Sequence, residues 1–228
     1  MFNVNPESTI TITTIRSEHV TAIETISSPD DHEWNYKAGT LLRVSERFPE
    51  GQLVALYDGI PVAYAVTMRT HYSPSDVPLS WWDMIGRDLS VPSHHADGDW
   101  LYGIDFAVHP HYRRHGIGTL MYNARFELVK RLNLRGMYAG GMLMGYHRYR
   151  DQMTVREYGE RVMRGELEDP TVTMQMRRGF KPRAVIENYV PLPDAGGAAM
   201  LIEWRNPHYK PLLQTIVGKR EIVIAPAV

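Results

Sequence analysis

The residues with the clearest chemical meaning lie between Leu101 and Arg131, above all in Arg113-Arg114-His115-Gly116-Ile117-Gly118. The run ending in Asp105-Phe106-Ala107-Val108-His109-Pro110 reads as a strand that meets a turn. Two glycines then leave the backbone bare, and a helix follows to about Arg131. The first N–H groups of a helix have no carbonyl one turn back and carry the positive end of its dipole. With no Cβ on Gly116 or Gly118, a diphosphate can lie against them. Arg113 and Arg114 can add charge-assisted hydrogen bonds at the rim. The segment predicts a phosphate-bearing ligand. A P-loop would need Lys and then Ser or Thr after its second glycine, where this chain has Thr119-Leu120. A dinucleotide fingerprint would need a third glycine where Met121 stands.

The pattern Arg-x-x-Gly-x-Gly, with the Asp105–Pro110 strand before it and an amphipathic helix after it, resembles the coenzyme A motif of the GCN5-related N-acetyltransferase (GNAT) superfamily. Further residues resemble more narrowly the GNAT domain joined to nitrilase-like carbon–nitrogen hydrolases. They are Gly145-Tyr146-His147-Arg148-Tyr149, Asp169-Pro170-Thr171, Gln175, Gly179-Phe180, Asn188-Tyr189 and Trp204-Arg205-Asn206-Pro207, and the likeness covers most of Gly51 to Tyr209. The resemblance implies a mixed α/β, mostly antiparallel sheet with helices on both faces and a splayed strand pair that binds coenzyme A. The pantetheine arm would pair with the backbone of Phe106, Ala107 and Val108. The diphosphate would meet Arg113, Arg114, His115, Gly116, Ile117, Gly118 and Thr119. The implied activity is acyl transfer, in first place N-acetyl transfer from acetyl-CoA to a small or carrier-bound amine, with a nitrilase-like hydrolase as an implied partner. Two alternatives are a thioester-processing enzyme (decarboxylase or S-acyl loader) and a non-catalytic coenzyme A sensor. GNAT-like domains of polyketide synthases do the former with a threonine and a histidine near the positions of Gly141 and Gln175, a pair this chain lacks.

Amine acylation needs a base for the amine and a proton for the departing thiolate. Asp105 stands in the strand where related enzymes place an acidic residue facing the cleft. Strand alternation would turn Ile104 and Phe106 to the opposite face, and burial would raise the Asp105 pKa into a useful range. His147 follows the strand that should line the other side of the splay, and histidine is a residue type suited to proton transfer. Tyr146 beside it is a second candidate to protonate the thiolate. Many relatives carry a tyrosine four residues before the late Gly-Phe as general acid. Gln175 stands there, and an amide cannot act as an acid. His109, His111 and His115 lack a zinc-ligand spacing and sit beside two arginines, so no metal is expected. His94-His95 reads as loop surface.

The elements that must position these groups are legible around them. Thr9–Ile15 reads as a strand, Ser17–Ile26 and Ala38–Phe48 as helices, and Gly51–Tyr57 with Ile60–Thr70 as a hairpin around Asp58-Gly59. Tyr72–Asp99 is a long loop with one helical turn, expected over the acceptor side with Trp81 or Trp82 facing the cleft. A strand near Met137–Leu143 follows the motif helix. Helical patterns at Thr154–Arg164 and Thr171–Arg178 and strands at Ala184–Ile186 and Ala199–Trp204 close the plan. The 228 residues read as one domain with its core over about 9–207 and an extension over 208–228, apolar enough to cover its own sheet or to pack on a second subunit in a homodimer. Charge is balanced at 25 basic against 26 acidic side chains, which argues against a general grip on nucleic acid or an anionic membrane. The absence of cysteine excludes a thiolate nucleophile and disulfides. No signal-peptide layout and no apolar run of membrane-spanning length is visible, and a cytoplasmic protein is expected.

Overall fold

A computed structural model describes residues 8–27, 38–76 and 80–211. Seven strands form one sheet: β1 (Ile10–Thr14), β2 (Leu53–Tyr57), β3 (Ile60–Thr70), β4 (Trp100–Val108), β5 (Gly136–Met142), β6 (Lys181–Ile186) and β7 (Ala199–Arg205). Their order is β1-β2-β3-β4-β5-β7-β6, antiparallel throughout except at β4–β5. The expected mixed, mostly antiparallel sheet is therefore present. Helices α1 (Val20–Ser27), α2 (Ala38–Arg47) and α3 (Trp81–Ile85) pack on one face. Helices α4 (Ile117–Arg131), α5 (Val155–Met163) and α6 (Val172–Met176) cover the other. The β2–β3 turn is the expected one: Asp58 and Gly59 both have positive φ, 48° and 82°, which matches the twist of the two strands.

Several boundaries differ from expectation for local reasons. Ser17 opens a single 3-10 turn over Ser17–His19, and α1 begins only at Val20, because His19 is buried and its Nδ1 accepts from the Arg16 N–H at 3.1 Å. The long loop holds the helical turn expected of it, α3, opened by a capping box in which Ser80 and Asp83 satisfy each other's backbone N–H groups. β6 starts three residues earlier than its apolar run because Lys181 and Pro182 already pair with β7. The extension from 208 lies largely outside the described residues.

Asp169 ties the second half of the chain together. It is 1% exposed, and its carboxylate accepts from the N–H groups of Gly145 (2.8 Å), Thr171 (2.8 Å) and Val172 (2.9 Å) and from the Tyr158 hydroxyl (3.0 Å). One side chain thus starts α6, anchors α5 and fixes the turn after β5. Removing it leaves several buried donors unpaired, so Asp169→Ala should cost about 3 kcal/mol or more. The urea midpoint, at unchanged m-value, measures this.

Candidate functional site: a cleft where two strands part

The parallel pair β4–β5 is bonded only from Trp100↔Gly136 to Gly103↔Ala139. Beyond that point β4 stays with β3 and β5 stays with β7, so the two strands diverge. The divergence leaves the facing edges of Ile104–Val108 and Gly140–Met142 without each other as partners. A cavity of about 260 Å³ fills the gap, lined on the β4 side by Gly103, Ile104, Asp105 and Phe106. The opposite wall depends on two glycines of β5. A Cβ on Gly140 would strike the Tyr189 ring at 2.3 Å, and one on Gly141 would strike Gln175 Oε1 at 2.3 Å. Both Tyr189 and Gln175 line the cavity.

Asp105 reaches this cleft through an irregularity that strand alternation does not foresee. Val66 pairs with Asp105 but Thr67 pairs with Gly103, so Ile104 is an extra residue bulged from β4. The bulge puts Asp105 on the same face as Ile104, where its Oδ2 accepts from the Tyr64 hydroxyl at 2.6 Å. Of the two residues flanking Asp105, only Phe106 turns to the α4 side. The expected opposition of Ile104 to Asp105 is thus corrected, while that of Phe106 stands. Burial raises the Asp105 carboxyl above the usual carboxylate range, against the Tyr64 hydrogen bond and that of the Phe106 N–H at 2.7 Å. Burial also holds the Tyr189 phenol up at about 12, bonded to the Tyr102 hydroxyl at 2.6 Å. Trp81 is 6% exposed, lines the cavity, and donates its indole N–H to the Ile104 carbonyl at 2.9 Å, which secures the bulge.

The glycine turn lies at the same end of β4. Gly116 is the N-cap of α4 with φ 81°, a conformation that a Cβ disfavours. A Cβ on Gly118 would have only Phe106 near it, at 3.8 Å. Ile117 is buried, whereas Arg113, Arg114, His115, Gly116 and Thr119 are exposed. Arg113 is steadied by the Val108 carbonyl at 3.0 Å, and Thr119 Oγ accepts from Arg178 at 2.8 Å. Ala107 packs toward the α1–α2 face and Val108 toward the start of α4, so their backbones remain along the open edge of β4.

His147 and Tyr146 are not brought into this cleft. A 3-10 turn over Tyr146–Arg148 sends His147 to the exposed surface, where its Nδ1 bonds the Met144 carbonyl at 2.8 Å. The Tyr146 hydroxyl donates to the Met153 carbonyl at 3.2 Å, and its ring packs on Tyr158. Trp82 stacks edge-on against Trp81 at 4.9 Å but does not line the cavity. A ligand entering the cleft should therefore change tryptophan emission through Trp81. Trp81→Phe should abolish that response and Trp82→Phe should leave it.

Two cavity residues escaped sequence reasoning. Tyr122 and Arg125 stand on the inner face of α4, with Gln175 Nε2 donating to the Tyr122 hydroxyl at 3.1 Å. Arg125 is 2% exposed, its Nε bonds the Met121 carbonyl of its own helix at 3.3 Å, and its guanidinium covers the rings of Tyr122 and Phe106 at 4.1 and 4.7 Å. The signal was present: Met121, Arg125, Leu128 and Val129 recur at helical spacing, which sets an arginine inside an apolar stripe. Far from the cleft, His71, His95 and Asp97 bring ligand-type atoms within 4.8 Å of one another on the exposed surface, a grouping not expected from the sequence.

The Acetyltransferase (GNAT) family matches residues 17–143. The chain is 31% identical over 205 residues to the uncharacterized N-acetyltransferase YkwB of Bacillus subtilis (strain 168), covering 86% of this chain and 90% of that protein. It is 37% identical over 177 residues to the probable hydrolase YhcX of the same organism, covering 77% of this chain but only 34% of that protein. The chain thus spans about a third of the length of YhcX. The GphF GNAT-like decarboxylase, solved in complex with isobutyryl-CoA, superposes with a TM-score of 0.69 at 20% identity, over 86% of this chain and 99% of that one.

Proposed function

The chain belongs to the acetyltransferase (GNAT) family, and from that premise we propose that it moves a short acyl group from coenzyme A to the amine of a small or carrier-bound acceptor, with Asp105 as the base. One observation carries this reading: the parting of β4 from β5 after Gly103↔Ala139, with Asp105 inside the gap and the glycine start of α4 beside it. The diphosphate lies on the N–H groups of residues 116–118, since that of Thr119 already donates to the Gly116 carbonyl at 2.9 Å, and the pantetheine arm follows the open edge of Phe106–Val108. The thioester then meets the cavity. A carboxyl raised by burial accepts the ammonium proton more readily than an ordinary aspartate does. The attacking nitrogen forms the new C–N bond, and the C–S bond breaks as the tetrahedral intermediate collapses.

The thiolate still needs a proton, and Gln175 cannot supply one. The Tyr122 phenol, held by Gln175 at 3.1 Å, is the hydroxyl we assign to that step in place of Tyr146, whose own hydroxyl is engaged elsewhere. A decarboxylase reading has the GphF likeness in its favour, yet Gly141 and Gln175 face one another without a hydroxyl or imidazole between them. A hydrolase working alongside this chain belongs to the proposal as well, on the strength of the YhcX match.

The test is release of free thiol from acetyl-CoA in the presence of a panel of amines, read with a thiol reagent. The chain contains no cysteine, so the protein adds no background. Acceptor-dependent release supports transfer. Release of carbon dioxide from a malonyl thioester, with no amine required, would favour the decarboxylase. Binding without either would leave a sensor.

A further inference from the structure

A buried cation ordinarily has an anion beside it. Arg125 does not. Its Nη2 has no hydrogen-bond partner, and none of the ion pairs among the described residues involves it. What surrounds it is the face of Tyr122 and the face of Phe106, with the positive charge of Arg178 close enough to act on it as well. Desolvation acts on the guanidinium without a carboxylate to offset it, yet an arginine remains charged. We propose that Arg125 receives a carboxylate of the acyl donor, so that the natural donor is the coenzyme A mono-thioester of a short dicarboxylic acid. This rests on the reading of the cleft as a coenzyme A site and narrows it to a substrate class.

The position of Arg125 selects the donor over the other anions at hand. Arg125 stands nine positions after Gly116, about 13.5 Å along the axis. Even leaning back onto Met121, the guanidinium is about 8 Å past the helix start. None of residues 113–119 lines the cavity that Arg125 lines. The diphosphate therefore cannot serve as its partner. Phe106, Tyr122 and Phe180 pack together on the α4 side of the sheet, whereas Tyr64, Trp81 and the Asp105 contact belong to the opposite side. A donor that starts on α4 and enters the gap from that side brings its acyl end past Arg125. The acceptor approaches Asp105 from across the sheet. The planar fork of an arginine suits a carboxylate in two-point contact, and the cavity, about 260 Å³, admits a short diacid arm.

Titration calorimetry on the full chain with acetyl-CoA, malonyl-CoA and succinyl-CoA tests this. At least one carboxylated thioester should bind wild type about ten- to a hundredfold more tightly than acetyl-CoA, the range of a hydrogen-bonded charge. Arg125→Met, which roughly keeps the volume and removes a buried cation, should abolish the preference, so that carboxylated thioesters and acetyl-CoA bind at parity. Arg125→Lys should restore part of the difference. Equal affinity of wild type for all three thioesters overturns the proposal without any variant. So does a preference that survives Arg125→Met. A third overturning result is Arg125-dependent binding of free acetate, malonate or succinate to the protein saturated with coenzyme A, with no preference among thioesters, since that assigns the arginine to the acceptor. If no coenzyme A thioester binds at all, the reading of the cleft falls and takes this inference with it.

Discussion

Gly118→Val should lower the affinity for coenzyme A by about a hundredfold or more while the protein stays folded. Each N–H bonded to a phosphate oxygen is a charge-assisted hydrogen bond, worth about 1.5–3 kcal/mol when its loss leaves an anion unpaired. Valine methyls at the first turn of α4 displace the diphosphate from at least two of them. Position 118 is the cleaner of the two glycines. Its added Cβ meets nothing closer than Phe106 at 3.8 Å, so the apo fold has room for it. Gly116 has φ 81°, and any side chain there strains the N-cap before a ligand arrives. Gly116→Val should therefore lose stability as well as binding. Calorimetry with coenzyme A, beside the thermal midpoint of each apo variant, separates the two. A folded Gly118→Val protein with wild-type affinity would remove the diphosphate from this turn.

This contrast shows what the sequence could reveal. The turn was legible because all of its parts are neighbours: strand, arginines, two glycines and helix lie within Leu101–Arg131. The hairpin at Asp58-Gly59 was legible for the same reason. What a chain writes locally, side-chain type and spacing disclose. The cleft is not local. Tyr64 and Asp105 are 41 residues apart and meet only because β3 pairs with β4 in one register. The bulge at Ile104 that turns Asp105 toward Tyr64 leaves no mark in the residue types, and simple alternation gives the wrong face for Ile104. His147 stood in the right place along the chain, just after β5. The turn that follows, tied down by Asp169 through the Gly145 N–H, directs it to solvent. Arg125 was partly legible, since its place in the α4 stripe marks it as buried, but nothing in the sequence says that it would be buried without a carboxylate.

Asp105→Asn should cost about a hundredfold to ten-thousandfold in acyl transfer, the usual loss when a positioned base is removed, while coenzyme A affinity stays nearly unchanged. The pH profile carries the sharper expectation. Burial raises the folded-state pKa of Asp105, and the base works only when ionised. The acid limb of kcat/KM should therefore lie above the ordinary carboxylate range. Tyr64 donates to the carboxylate and so favours the charged form. Tyr64→Phe should move the acid limb to still higher pH and keep activity on the plateau, an effect that a purely structural tyrosine would not produce. The same shift has a consequence for stability. A carboxyl whose folded pKa is raised binds more protons folded than unfolded, so stability falls as pH rises from the ordinary carboxylate pKa through the raised one. Above the raised pKa the whole cost of ionised Asp105 is present; below the unfolded value it is absent. Asp105→Asn should thus raise the thermal midpoint of the apo protein at pH 7–8 and lose that advantage as the pH falls below the ordinary carboxylate pKa. An Asn variant that is slow yet more stable at neutral pH, and no more stable in acid, marks Asp105 as a group kept at the expense of the fold. A variant that keeps wild-type rate and acid limb, with any acceptor found active, would move the base elsewhere, to a water held in the gap between β4 and β5.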